Sequence, residues 1–138
     1  MENKAIYEFL REHRYGVLAT VSPGHAPEAA LVGIAVTPAL ELIFDAIETT
    51  RKIQNLRRNP YIAFVVGWSG DERTVQYEGI ADEPKGAELE RAKETYCAAW
   101  PTAPERDMWP GHIYVRVRPK WLRFSSYKLP YKVEEMTF

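Results

Sequence analysis

The hydrophobic positions of this chain change period several times, and each change marks an element. Ile6, Phe9 and Leu10 recur at helical spacing, which predicts an amphipathic helix over Asn3–His13, with Asn3 available as its cap and Gly16 just past its end. The pattern then becomes β-like. Tyr15–Val21 (YGVLATV) is a strand, Ser22-Pro23-Gly24-His25 a turn, Ala29–Thr37 a second strand ending at Pro38, and Leu42–Ala46 (LIFDA) a buried third. Short turns between these three imply antiparallel pairing. Thr50–Asn59 (TRKIQNLRRN) returns to a helical pattern and is closed by Pro60.

Tyr61–Gly67 is the most apolar strand, and Trp68-Ser69-Gly70-Asp71-Glu72 is a loop of hairpin character. Arg73–Ala81 is a fifth strand with Val75, Tyr77 and Gly79 on one face. A glycine inside a strand signals a bulge or the close approach of another group. Lys85–Ala99 is a helix with Leu89, Ala92, Tyr96 and Ala99 in register, ended by Pro101. A proline-rich loop from Thr102 to Gly111 follows. Ile113–Val117 and Trp121–Ser125 are strands split by Pro119, and the polar tail after Tyr127 is assigned no element.

The sum is about six to seven strands and about three helices, a mainly β or α+β chain; many short strands favour an antiparallel barrel, closed or nearly so, because closure removes exposed edges. No repeat, low-complexity tract or linker divides it, so residues 1–138 are expected to form a single domain.

Composition narrows the function classes. With 46% hydrophobic and 27% charged residues the chain is globular rather than disordered. Eighteen basic residues against nineteen acidic ones leave no global field to draw it onto nucleic acid or a membrane. No apolar run reaches the roughly 20 residues that span a bilayer, and the N-terminus lacks a signal-peptide core. The lone Cys97 excludes an intrachain disulfide and favours a cytoplasmic setting.

One segment breaks a local rule. Glu48-Thr49-Thr50-Arg51-Lys52 joins the third strand to the second helix. It puts two cations on the first helical turn, where the macrodipole is positive and the backbone N–H groups lack partners. An anion there would reverse the sign of the penalty, meeting N–H groups, two threonine hydroxyls and two cations at once, as a phosphate site requires. Read alone, Arg51 and Lys52 are equally a solvated helix start. Arg57 and Arg58 lie in the last turn, where cations are favoured, and are read as structural.

Other chemistry-bearing residues are scattered. His13, His25 and His112 show no metal-ligand spacing. His25 and His112 are weak candidates for proton transfer. Cys97, inside a helix, reads as packing. Trp68, Trp100 and Trp109 are assigned to partial core in preference to a substrate wall or dimer patch. No GxSxG, GxGxxG or P-loop motif is present.

Four segments in order carry a resemblance: Gly16-Val17-Leu18-Ala19-Thr20-Val21 with its Pro-Gly turn and Pro27; Thr50-Arg51-Lys52-Ile53-Gln54-Asn55-Leu56-Arg57-Arg58-Asn59-Pro60; Thr74-Val75-Gln76-Tyr77-Glu78-Gly79-Ile80-Ala81; and Pro119-Lys120-Trp121-Leu122-Arg123-Phe124. Together they resemble the pyridoxamine 5'-phosphate oxidase-like, FMN-binding split-barrel superfamily, from the N-terminal helix to Tyr127. The resemblance implies a split barrel and a homodimer with flavin in a groove between subunits. It places Arg51 and Lys52 on the FMN phosphate, with Thr49 and Thr50 nearby. Asp45 and Ala46 would lie beside the isoalloxazine through backbone groups, and Thr74 and Gln76 are candidates to face the flavin. Trp121 and Arg123 would contribute from the partner subunit. Read as residues alone, Thr74 and Gln76 are strand-face polar groups, Trp121 a packing aromatic and Arg123 the partner of a carboxylate.

Glu28-Ala29-Ala30-Leu31-Val32 carries no basic residue where the oxidase has another phosphate-binding arginine. The oxidase's basic substrate-phosphate residues near the C-terminus are not evident either. Vitamin B6 oxidation is therefore not expected. The implied function is an FMN-dependent oxidoreductase acting on a small substrate. The alternatives are an F420-dependent reductase or a non-catalytic protein binding flavin or haem on the same barrel.

Overall fold

The structure is a computed structural model that describes residues 3–138. Helix α1 (Asn3–Glu12) buries Ile6, Phe9 and Leu10, the three positions that set its period; Asn3 is already helical rather than a cap. Strands β1 (Tyr15–Val21) and β2 (Pro27–Gly33) form a hairpin, followed by β3 (Ala35–Val36), β4 (Leu42–Ile47) and helix α2 (Arg51–Arg58). Then come β5 (Tyr61–Gly67), β6 (Arg73–Asp82), helix α3 (Gly86–Ala99), a 3-10 turn at Ala103–Arg106, β7 (His112–Ser126) and β8 (Lys132–Thr137). The class is α+β: the described residues form eight antiparallel strands in one curled half-barrel sheet, with three helices.

The connectivity explains the curl. The strand order is β2-β1-β5-β6-β7-β4-β3, with β8 also on β7. Strands β2 and β3 therefore lie at opposite edges of the sheet, yet only Ile34 separates them in the chain. The two edges must meet, and the split in the barrel falls at that joint. Predicted as one strand, Ala29–Thr37 is thus two, because the backbone changes sheet edge at Ile34. Helix α3 and the residue after it lock the joint. Trp100 Nε1 donates to Ile34 O at 3.0 Å, and Tyr96 Oη lies 3.3 Å from Gly33 O. A Cβ at Gly33 would meet the Trp100 ring at 2.8 Å.

Pro119 does not divide β7. It pairs with Gly79 at a register shift where Glu78 faces Trp121 and Gly79 faces Pro119, so the extra residue, Lys120, is a bulge in β7. A strand proline is tolerated where no ladder bond is asked of its nitrogen. On the other edge of β7, β4 pairs as far as Val117 and β8 begins at Trp121, so Pro119 falls in the gap. Gly79 is needed for close approach, since a Cβ there would lie 2.5 Å from Arg118 O and 2.6 Å from Val117 Cγ1. Strand β8 lies in the tail assigned no element; it forms by pairing with the far half of β7, a partner no local pattern reveals.

The core is aromatic at its centre. Phe64 meets Phe44 and Tyr77 edge-on at 6.1 and 6.0 Å between ring centroids. The buried Tyr77 hydroxyl lies 2.8 Å from Leu40 O and 3.2 Å from Val117 O. His13 is part of this packing, stacked on Phe9 with centroids 4.0 Å apart and Nε2 3.2 Å from Asp71. Trp100 packs partly buried against the core, whereas Trp68 and Trp109 are exposed, contrary to their assignment to it; both stand on loops that no element covers. Among the described residues no helix is long and apolar enough to cross a membrane.

Candidate functional site

The turn Ile47–Thr50 delivers α2 with its N-terminus facing the β1–β2 hairpin. Thr50 is the N-cap, with extended backbone, but its side chain forms no cap. Its hydroxyl donates instead to Ile47 O at 2.7 Å. The N–H groups of Arg51, Lys52 and Ile53 precede the first bond of the helix, Gln54 N–H to Thr50 O at 3.1 Å. This is the uncapped, electropositive helix start that binds anions.

A cavity of about 530 Å³ opens there, lined by Thr49, Thr50, Arg51 and Lys52 together with Glu28, Ala29 and Ala30 of β2 and Leu18 and Thr20 of β1. Its size falls within the roughly 300–1,000 Å³ of small-molecule sites. Arg51 and Lys52 make one side cationic, and Leu18, Ala29 and Ala30 add apolar surface opposite, beside Thr20 and Glu28, which suits a phosphate carried on a larger organic body. Arg51 is 82% exposed, so its guanidinium can swing into the cavity. Arg57 and Arg58 point elsewhere. Arg57 bridges Glu48 and Glu83 at 3.0 and 2.9 Å, and Arg58 donates to Asn55 Oδ1 at 2.9 Å, consistent with a structural role.

Two members of this site do not announce themselves in the sequence. Glu28 reaches across from β2 and pairs with Arg51 through one carboxylate oxygen. Its other oxygen accepts from Asn55 Nδ2 at 2.8 Å, and the same buried amide donates to Thr20 Oγ1 at 3.1 Å. Asn55 was traceable in principle: it lies four residues after Arg51, on the same helix face. Glu28 lies on a strand distant in sequence, and only the sheet brings it near. The residues present fit a phosphate group in their cations, free N–H groups and apolar wall; Glu28 is the one acid among them.

The other predicted residues lie apart from this cavity within one chain. Gln76 and Trp121 line a shallow hollow of about 330 Å³ on the outer face of the sheet with Val17, Ala19, Ala63 and Glu78. Arg123 stands opposite Gln76 and 3.8 Å from Glu135, and Thr74 pairs with Gly67 and Ser125. A third hollow of about 290 Å³ joins the two, sharing Thr20 with the first and Ala19, Ala63 and Glu78 with the second. Ala46 packs against the core.

Asp45 turns its side chain the other way, beneath α3 and the 3-10 turn. Its Oδ2 accepts from Arg106 Nε at 2.7 Å and lies 2.8 Å from His112 Nε2; its Oδ1 accepts from Tyr96 Oη at 3.0 Å. Burial pushes its pKa up, but the hydrogen bonds from His112, Arg106 and Tyr96 outweigh it and hold the carboxyl below its ordinary value. Burial first, and then the Asp45 charge, push the Tyr96 hydroxyl up. Only the backbone of Asp45 is free to meet a ligand: β3 pairs with β4 at Leu42 and Ile43 and no further, leaving that edge of Asp45–Ile47 without a strand. His112 is thus engaged in the hydrogen-bonded cluster around Asp45, while His25 sits in the first turn with φ +64°. Cys97 Sγ is half-buried, 4.0 Å from Tyr114 Oη.

Comparison with known proteins places this geometry. No curated protein matches the chain. Among solved structures, a heme binding protein from Mycobacterium smegmatis superimposes with a TM-score of 0.85 at 18% identity, over 98% of this chain and 57% of that one. This chain thus spans little more than half of that protein. A conserved hypothetical protein from Mycobacterium tuberculosis superimposes at 0.76 with 25% identity, over 93% of this chain and 86% of the other. A pyridoxamine 5'-phosphate oxidase-related, FMN binding protein from Nostoc punctiforme gives 0.71 at 13% identity, over 98% and 95%. These likenesses establish the fold. Residues 3–126 match the family model described as pyridoxamine 5'-phosphate oxidase, and the chain belongs to that family, built on its split barrel.

Proposed function

We propose that this protein binds FMN, with the phosphate at the start of α2, and acts as an FMN-dependent oxidoreductase on a small substrate in the cytoplasm. The observation that carries the reading is the uncapped helix start, with Arg51 and Lys52 opening into a cavity whose far wall sets Leu18, Ala29 and Ala30 beside Thr20 and Glu28. In the family relative from Nostoc punctiforme, FMN binding is part of the name. When bound, the flavin supplies hydride and electron transfer, and the protein supplies binding and orientation. Arg51 and Lys52 hold the phosphate, Thr49 and Thr50 flank it, and the backbone of Asp45 and Ala46 borders the ring. Thr74 and Gln76 face the ring system from the outer sheet.

The test is the visible spectrum of the purified protein, followed by titration with FMN, F420 and riboflavin. FMN should bind with its fluorescence quenched, and at least about a hundredfold more tightly than riboflavin, which lacks the phosphate. Equal affinity for both would overturn the phosphate assignment. F420 bound in place of FMN would shift the reading to a deazaflavin reductase. A haem spectrum on purification would favour the second reading, a haem-binding protein, which the fold likeness to the Mycobacterium smegmatis protein supports.

A homodimer is part of the same proposal. Leu31, Val17 and Val65 stand side by side on the outer face of β2, β1 and β5 and are exposed, Leu31 at 68%. Ala29, Ala19 and Ala63 form the next row. An apolar face continuous with the hollows at Gln76 and Trp121 calls for cover, and a second copy related by a two-fold axis supplies it. Trp121 and Arg123 then contribute across the subunit boundary. Light scattering at micromolar concentration should report twice the chain mass, and replacing Leu31 by aspartate should shift it to the monomer.

A further inference from the structure

Resting on the phosphate reading of this cavity, we infer that Glu28 is its specificity-determining residue: a resident carboxylate that holds the anion position between Arg51 and Asn55 and that a phosphate ester must displace. Both Glu28 oxygens are engaged by donors the cavity offers, one by the Arg51 guanidinium and one by Asn55 Nδ2 at 2.8 Å. Asn55 is 3% exposed, and its carbonyl is itself fixed by Arg58 Nη2 at 2.9 Å. The amide is thus held facing Glu28, while Arg51 is exposed and free to move. The carboxylate has the charge and the planar pair of oxygens of a small anion, and occupies the donors as one would.

Two consequences follow. A phosphate entering the cavity takes Arg51 from Glu28 and then lies beside a like charge, so affinity is set below what Arg51 and Lys52 alone would give. A ligand that also presents a hydroxyl donor to the released carboxylate recovers part of that loss. The cavity therefore discriminates against free inorganic phosphate and in favour of a phosphate ester on a polyhydroxylated chain, the chemistry shared by FMN and F420.

The test is Glu28→Gln, which keeps the shape and the Asn55 contact but removes the charge. Binding of FMN, riboflavin and inorganic phosphate is measured by fluorescence and calorimetry, with circular dichroism and a thermal melt confirming the fold. Inorganic phosphate should bind the variant at least about tenfold more tightly than the wild type, FMN by a smaller factor, and riboflavin without change. In an Arg51→Gln background the gain should shrink, because the competition for Arg51 is gone and only the like-charge repulsion remains to be relieved. An unchanged or weaker phosphate affinity in a folded Glu28→Gln protein overturns the inference, whether or not FMN binds. If neither protein takes FMN but the variant gains phosphate affinity, the flavin reading falls and the role of Glu28 stands.

Discussion

Replacing Arg51 and Lys52 together by alanine is expected to abolish FMN retention through dialysis, with the fold unchanged. The two residues supply the mobile positive charge of the cavity. A charge-assisted hydrogen bond is worth about 1.5–3 kcal/mol, so losing two weakens binding by about a hundredfold or more. The fold should not notice. Arg51 is exposed and, among the described residues, its ion pair is the one across the cavity to Glu28, and neither cation favours the helix start it occupies. The far-ultraviolet spectrum and melting temperature should therefore stay close to wild type, or rise slightly. The direct readout is the FMN dissociation constant of the double variant beside the wild type. A double variant that keeps its flavin at wild-type affinity would return Arg51 and Lys52 to a solvated helix start.

The largest effect on stability is expected at Asp45, not at the cavity. Its carboxylate, 11% exposed, ties β4 to the 3-10 turn through Arg106, to β7 through His112 and to α3 through Tyr96. Asp45→Asn leaves Arg106 and His112 facing a neutral amide in a mostly buried place, at a cost of about 2–4 kcal/mol. The pH dependence has a definite sign. A carboxyl held below its ordinary value contributes stability that is full above the unfolded pKa of about 3.9 and is lost as pH falls through the lower, folded value. The gap between wild type and variant should be full above about pH 5 and narrow progressively as the pH falls below about 4 toward the lower, folded value. Urea denaturation across that range measures it. A gap that does not narrow at all between about pH 5 and about pH 2 would show that the aspartate acts through shape rather than charge.

These two expectations separate the halves of the Leu42–Ala46 strand and the turn beyond it. From residue types alone, Thr50-Arg51-Lys52 stands out, because cations on a first helical turn contradict a local rule that depends only on neighbours along the chain. Asp45 does not stand out as a structural keystone. Its partners lie 51, 61 and 67 residues away, and no local pattern links β4 to Tyr96, Arg106 and His112. The same holds for Glu28. Its lack of a basic character could be read directly, but its contact with Arg51 spans 23 residues and exists only because the β1–β2 hairpin lies over α2.

Local periodicity was sufficient for the helices at Asn3–Glu12, Arg51–Arg58 and Gly86–Ala99, for the alternation of Val75, Tyr77 and Gly79, and for the α+β class, since helix and strand patterns arise from side chains within a few residues of each other. Non-local pairing settled the remainder. It joined two predicted strands across Pro119 into β7 by placing the proline at a bulge, divided another at Ile34 where the backbone passes between sheet edges, and made a strand of the tail at Lys132–Thr137. It also set which residues share a cavity. Arg51, Lys52, Thr49 and Thr50 come together because they are consecutive, whereas Gln76 and Trp121 fall on the outer face because register in a sheet is fixed by the pairing of distant segments.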